Sequence, residues 1–183
     1  MAPGVKLLAD DKGDSSGFIV ENECLDIVSA DLASDKSTVT AVLRLAGPPT
    51  KAGDTDAPEG ASYYVTFSVP GATNPLFLVA SSDATGAFTY AYGDVQPSPT
   101  GGQLYQNAAA ATGSVSGSTV TINIARETLA SLGDMKVGVK ATNLGAIVFY
   151  PVEVPMGGGL LETADDATTA KSYPAVSPSC EIP

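Results

Sequence analysis

Hydrophobic and polar residues alternate with a period of two along most of the chain, and the alternating runs end at Gly, Pro, Asn or Asp. A strand sends successive side chains to opposite faces, so this pattern predicts half-buried β-strands. Residues 38–45 put Val39, Ala41, Leu43 and Leu45 on one face and Thr38, Thr40 and Arg44 on the other. Residues 62–69 do the same, with Tyr63, Val65, Phe67 and Val69 inward and Tyr64, Thr66 and Ser68 outward. Residues 25–32, 76–81, 87–92, 136–142 and 146–154 read as further strands. Residues 108–115 and 119–125, joined by Ser116-Gly117, form the clearest hairpin. Val120, Ile122 and Ile124 face the core there, and the lack of Pro near them predicts a central strand. Pro70, Pro75, Pro151 and Pro155 place their own segments at edges or strand ends. Asp35-Lys36-Ser37 fits a hairpin turn, and the Pro/Gly-rich residues 47–60 and 97–102 read as loops. Only residues 126–132 suggest a helix, with Gly133 where a C-cap glycine belongs. The expected fold is all-β: a single antiparallel β-sandwich, jelly-roll-like, with about nine strands and one short helix. Residues 1–17 are expected as an acidic N-terminal loop, and residues 157–183 as a tail on the surface of that one domain, 1–183.

Composition narrows the function classes. The 183 residues carry 9 Lys plus Arg against 20 Asp plus Glu, a net charge of −11. Phosphate backbones and anionic lipid surfaces repel such a chain, which argues against nucleic-acid and membrane partners. No run of 18 apolar residues occurs, and the first eleven residues lack the apolar stretch of a signal peptide. The low charge fraction, 16%, and the β-rich pattern suggest an extracellular protein, secreted or on the surface of a virion or other particle. Cys24 and Cys180 form no C-x-x-C pattern. In that compartment they are expected to pair as a disulfide closing more than 150 residues. The chain-entropy model values such a bond at ~5 kcal/mol.

The chain contains no His, which removes Ser-His-Asp and Cys-His catalysis and every His-ligated metal site. Asp54, Asp56 and Glu59 could serve as paired carboxylates for glycoside hydrolysis, but their Pro/Gly-rich setting reads as a solvated loop. Ser34 with Lys36, and Lys171 with Ser172, lack the helical S-x-x-K spacing of a Ser-Lys nucleophile. Gly157-Gly158-Gly159 precedes no basic helix, so it reads as a strand exit and not as a phosphate cradle. The expectation is a protein without catalysis. Tyr64 faces outward and could form a sugar or peptide platform with Tyr90, Tyr92 or Tyr105. Half-burial of these rings with wet hydroxyls is the competing reading.

Landmarks follow one another in a suggestive order: Asp10-Asp11-Lys12-Gly13-Asp14, Leu25-Asp26-Ile27, Tyr63-Tyr64-Val65-Thr66-Phe67, Thr112-Gly113-Ser114-Val115, Thr119-Val120-Thr121-Ile122, then Gly157-Gly158-Gly159-Leu160-Leu161 and Thr163-Ala164-Asp165. This order resembles β-sandwich modules of secreted actinobacterial proteins, often appended to peptidases, which are similar to DOMON-like and family-nine carbohydrate-binding sandwiches. The resemblance implies a jelly-roll-like sandwich with a ligand face or a calcium site and no catalysis. The chain departs from it in having no Trp for sugar stacking and no His for an axial haem ligand, so haem is not expected.

Asp10, Asp11 and Asp14 offer three carboxylates in five residues, with Gly13 permitting a tight bend and Ser15 and Ser16 adding hydroxyls. Hard cations take several oxygen ligands on a loop that can wrap. The resemblance places Asp26 near that loop, and Asp165 and Asp166 join if Cys180 is tied to Cys24. The competing reading is an acidic terminus that is solvated and holds no metal; within the metal reading, calcium is expected over zinc for want of His or a spare Cys. The expected function is a non-catalytic extracellular binding or accessory module, calcium-stabilised, that engages a protein or polysaccharide surface. The alternative is a structural or decoration subunit of a virion or filament, which would self-associate or join a particle.

Overall fold

The computed structural model describes residues 8–15, 23–35, 37–49, 57, 59–133, 140–153, 159–169 and 173–174. Twelve strands and one helical turn lie among them. In chain order they are β1 (Leu8–Ala9), β2 (Ile27–Ser34), β3 (Thr38–Leu45), β4 (Ser62–Ser68), β5 (Leu76–Ser82), β6 (Phe88–Pro97), β7 (Gln103–Ala110), β8 (Thr112–Ser116), β9 (Thr119–Ala125), α1 (Arg126–Leu129), β10 (Lys140–Glu153), β11 (Gly159–Thr169) and β12 (Tyr173–Pro174). They form two antiparallel sheets, β1-β2-β3-β9-β8 and β11-β10-β4-β5-β6-β7, with β12 beside β10. The fold is therefore the expected all-β sandwich.

The period-two pattern builds the core directly. Val39, Ala41, Leu43 and Leu45 of β3 and Val120, Ile122 and Ile124 of β9 face Tyr63, Val65 and Phe67 of β4 and Leu76, Leu78 and Ala80 of β5. The β9 strand lies between β3 and β8, the central place expected from its freedom from Pro. Pro151 sits where β10 has run past its last pairing with β4, at Phe149, and keeps only β11 as a partner. A proline there removes no donor on the β4 side. Asp35 closes the β2–β3 turn, its Oδ1 accepting the N–H groups of Ser37 and Thr38.

Four expectations change. Of the two strands expected over 136–142 and 146–154, the described residues 140–142 and 146–153 belong to a single one. This strand, β10, runs from Lys140 to Glu153, with a register shift between Thr142 and Gly145 that Asn143 absorbs at φ 52°. Residues 108–115 are split: β7 ends at Ala110, the chain bends at Ala111, and β8 begins in the other sheet. Part of the expected C-terminal tail, Gly159–Thr169, is instead the edge strand β11, with Ala164, Asp165 and Ala167 buried. The helix is a single turn that buries Leu129.

The second sheet also buries rings on its outer face. Tyr64, Phe77, Tyr105 and Phe149 pack with centroids 4.6–5.6 Å apart over Val79 and Val95. Tyr64 and Tyr105 lie three strands apart, ~14 Å in a flat sheet. Their 4.6 Å contact requires the sheet to curl so that β7 comes over its own outer face. Gly93 permits this, because a Cβ there would fall 1.9 Å from the Gln106 carbonyl oxygen.

The two flanks of the sandwich differ. At one, β1 of the first sheet meets β11 of the second, with no direct chain connection between them. At the other, the backbone itself crosses from β7 to β8 through Ala111, whose N–H bonds the Tyr90 carbonyl at 2.9 Å.

Candidate metal centre

The acidic N-terminal segment, β2 and β11 meet at the β1/β11 flank. Asp10 follows β1, and its N–H donates to the Val28 carbonyl at 3.0 Å. Val28 sits in a register shift of β2 between Ile27 and Ser29. The chain then turns at Gly13, whose φ of 89° suits glycine. The Gly13 N–H donates to Asp26 Oδ2 at 2.7 Å, fixing the loop onto the start of β2.

Asp165 arrives from β11. Val148 of β10 pairs with Asp165, but its neighbour Phe149 pairs with Thr163, so Ala164 is an extra, bulged residue. Bulges re-aim side chains. Here Ala164 and Asp165 are both buried in succession, which strict alternation forbids. Asp165 Oδ2 accepts the Ile27 N–H at 2.6 Å. One carboxylate oxygen each from Asp10, Asp14 and Asp165 lies within 4.8 Å of the others.

Two carboxylates have oxygens left over. Asp26 is 2% exposed, and while its Oδ2 is held by the loop, its Oδ1 is buried with no hydrogen-bond partner. Asp10 Oδ2 and Ser15 Oγ are likewise buried and unpartnered. Buried carboxylate oxygens cost free energy unless a donor or cation satisfies them. Lys12, the cation within the loop, pairs at the surface with Glu23 at 3.1 Å.

The electrostatics follow from this crowding. Burial, then the nearby charges of Asp10 and Asp14, push Asp165 up to about 6, against the lowering effect of the Ile27 N–H. Burial and the charge of Asp14 also raise Asp10, and burial is the chief cause raising Asp26. A set of raised carboxylates facing one another favours protons or a metal cation.

Of the residues expected at a metal site, Asp10, Asp14 and Asp165 come together, and Asp26 is tied to their loop. Asp11 is exposed and stands outside the trio. Ser16 lies outside the described residues. All available donors are oxygens, a set that suits a hard cation and not zinc.

The aromatic platform is not assembled. Tyr63, Ala80 and Tyr90 are successive cross-strand partners, as are Tyr64, Val79 and Ala91, so Tyr64 faces away from Tyr90 and Tyr92. Tyr92 is buried in the inter-sheet core, and Tyr90 packs against it beside Phe88. Tyr64 does sit beside Tyr105, but in the outer-face cluster, where burial raises both phenols. Cys24 is buried, while Cys180, Asp54 and Asp56 lie outside the described residues. A pair that alternation does not reveal is Asp31 with Arg44, 2.5 Å apart on β2 and β3, with the Asp31 side chain fully buried. Its trace in the sequence is one charged residue in each of two otherwise uncharged strands, Asp31 in IVSADLAS and Arg44 in TVTAVLRL.

Compared with protein-family models, curated proteins and solved structures, the chain matches none. The class defined by fold and site is a two-sheet antiparallel β-sandwich with an acidic centre at one flank.

Proposed function

We propose that the chain is a non-catalytic, extracellular β-sandwich module whose two sheets are clasped by a calcium ion at the β1/β11 flank. One observation carries this reading: the unpartnered buried oxygens of Asp26 and Asp10 beside the Asp10, Asp14 and Asp165 trio. A cation there would take carboxylates from the N-terminal loop and from β11. It would thus join the two sheets where the chain does not. Asp26 and Ser15 would add oxygens toward the six to eight that calcium takes, with water or carbonyls completing the shell. The absence of His from the chain supports the non-catalytic part. The Cys24–Cys180 disulfide belongs to the same proposal as a covalent tie between the C-terminal residues and the segment entering β2.

The test is calorimetric titration of metal-stripped protein with calcium and, separately, with magnesium. Calcium is expected to bind with one-to-one stoichiometry and raise the melting temperature, with Asp14→Asn weakening both. Absence of calcium heat together with an unchanged melt would overturn the reading.

A further inference from the structure

A sheet edge offers unpaired N–H and C=O groups to any passing strand, so proteins blunt such edges with charges, Pro, bulges or brevity. Three of the four edges here are managed in these ways. The β1 edge is two residues long and runs into Asp10 and Asp11. The β11 edge carries Asp165 and Asp166 and a bulge at Ala164. The β8 edge is short and contains Gly113.

The β7 edge differs. Among the described residues no strand lies on its free side. Every residue of β7 except Tyr105 is exposed. There is no charged residue anywhere between Asp94 and Arg126, and no Pro within β7. Leu104, 47% exposed, is the one large hydrophobic side chain standing out among the described residues, and it is on this strand. A bulge does occur, since Gly93 pairs with Asn107 but Tyr92 with Ala109, leaving Ala108 extra. The segment 103–107 ahead of it pairs in regular register from Pro97↔Gln103 to Gly93↔Asn107. Tyr105 anchors that segment through its ring contacts with Tyr64, Phe77 and Phe149, so the edge is held as a template.

We infer that the β7 edge pairs with the β7 edge of a second copy of this chain, antiparallel about a two-fold axis, along residues 103–107. The lack of charge along the edge admits this occupant, whose own edge carries the same unpaired groups. Two bodies of −11 repel, and at physiological salt the repulsion acts over ~8 Å. They can approach most closely where neither presents charge, and the Asp94–Arg126 interval supplies that surface. The carboxylate beside this edge, Asp94 on β6 opposite Gln106, already accepts hydrogen bonds from Asn74 and Gln96, so a basic partner gains little there. Antiparallel self-pairing is isologous, each edge satisfying the other, and it joins the six-stranded sheet to its copy while Leu104 is covered from both sides. The inference stands on the edge alone and does not depend on the metal centre.

Sedimentation velocity of the full chain in calcium-containing buffer, from micromolar to near-millimolar concentration, tests it. The expected result is a monomer–dimer equilibrium that the exposed double substitution Leu104→Lys, Gln106→Lys abolishes without moving the melting temperature. Hydrogen exchange of the unsubstituted protein needs no variant: amides within 103–107 should slow as concentration rises, while those of β8 stay constant. A protein that remains monomeric throughout, a dimer indifferent to the two lysines, or concentration-independent exchange in β7 would each overturn the pairing.

Discussion

If calcium occupies the β1/β11 flank as proposed, stripping it should make stability fall as pH rises. In metal-free protein Asp165 titrates at about 6 when folded and near 3.8 when unfolded. Between those values the native state holds more protons than the unfolded one, so stability falls as pH rises through the window. Above it, ionised Asp165 costs the fold ~3 kcal/mol, taking 1.36 kcal/mol for each tenfold change. Asp10 and Asp26, also raised, add with the same sign. Asp35 and Asp83 are lowered by the hydrogen bonds of their turns, so what they contribute is lost only below about pH 4, outside the window. About 2 kcal/mol of this falls between pH 4.5 and pH 7.5, and for a chain of this length 1 kcal/mol moves the melting temperature by ~2–4 °C, so metal-free protein should melt ~4–8 °C lower at pH 7.5 than at pH 4.5. Calcium acts oppositely. At a thousandfold excess over its dissociation constant it would add ~4.1 kcal/mol, more than the ~3 kcal/mol cost of ionised Asp165, and protons compete with it, so the loaded protein should not weaken toward pH 7.5. Differential scanning calorimetry of dialysed protein, with and without calcium at both pH values, reads both slopes. Asp165→Asn separates the site from mere packing. Its amide oxygen can still accept the Ile27 N–H, so the metal-free variant should be more stable than the parent at pH 7.5 and unresponsive to calcium. Parallel slopes with and without calcium, or a destabilised metal-free Asp165→Asn, would refute the reasoning.

Ile122, 1% exposed on a central strand, should cost ~2–5 kcal/mol as Ile122→Ala in urea denaturation; a loss below ~0.5 kcal/mol would remove it from the core. Phe77→Ala should cost ~3–5 kcal/mol despite facing away from the other sheet, because the ring is 0% exposed beneath Tyr64 and Tyr105; a surface-sized effect by the same assay would contradict the curled sheet. Thiol labelling of unfolded, unreduced protein should find no free thiol, and labelling at both cysteines would dismiss the Cys24–Cys180 bond.

Alternation revealed the strands whose two faces differ, and failed where they do not. The strands β3, β4 and β9 each have one apolar face and one polar face, and their core residues fall where the pattern puts them. The strand β7 is exposed on nearly every residue, so its sequence, QLYQNAAA, has no apolar face to announce it. In β11 the bulge at Ala164 makes neighbours share a side, and the run TADDATT resembles a polar tail. The outer-face cluster was hidden for a related reason. Alternation assigns a residue to a face but does not say whether the face is wet, and Phe77 is dry because the sheet curls over it. The acidic centre was partly legible. Three carboxylates and a glycine in five residues marked the loop, but the bulge that turns Asp165 inward is a property of pairing register, which no local pattern encodes.

The location of the centre follows from how the sandwich closes. Two sheets held only by apolar contact can splay at either flank. The β7–Ala111–β8 crossing closes one flank covalently. At the other, β1 and β11 come from opposite ends of the chain, and β1 holds β2 by a two-residue ladder, Leu8↔Ala30 and Ala9↔Ser29. So short a ladder is weak by itself, and placing Asp10, Asp14 and Asp165 beside it adds repulsion exactly where cohesion is least. In the metal-free protein the β1/β11 flank should therefore open first, as a local event below the global unfolding free energy. The proposed cation would reverse the sign of that interaction and turn the weakest seam into a tie between the sheets. Native-state hydrogen exchange can tell the two apart. The Ile27 and Gly13 amides, which bond Asp165 and Asp26, should exchange faster than those of β9 without calcium and approach them with it. If calcium slows all amides equally, or neither of these two, the clasp is not at this flank.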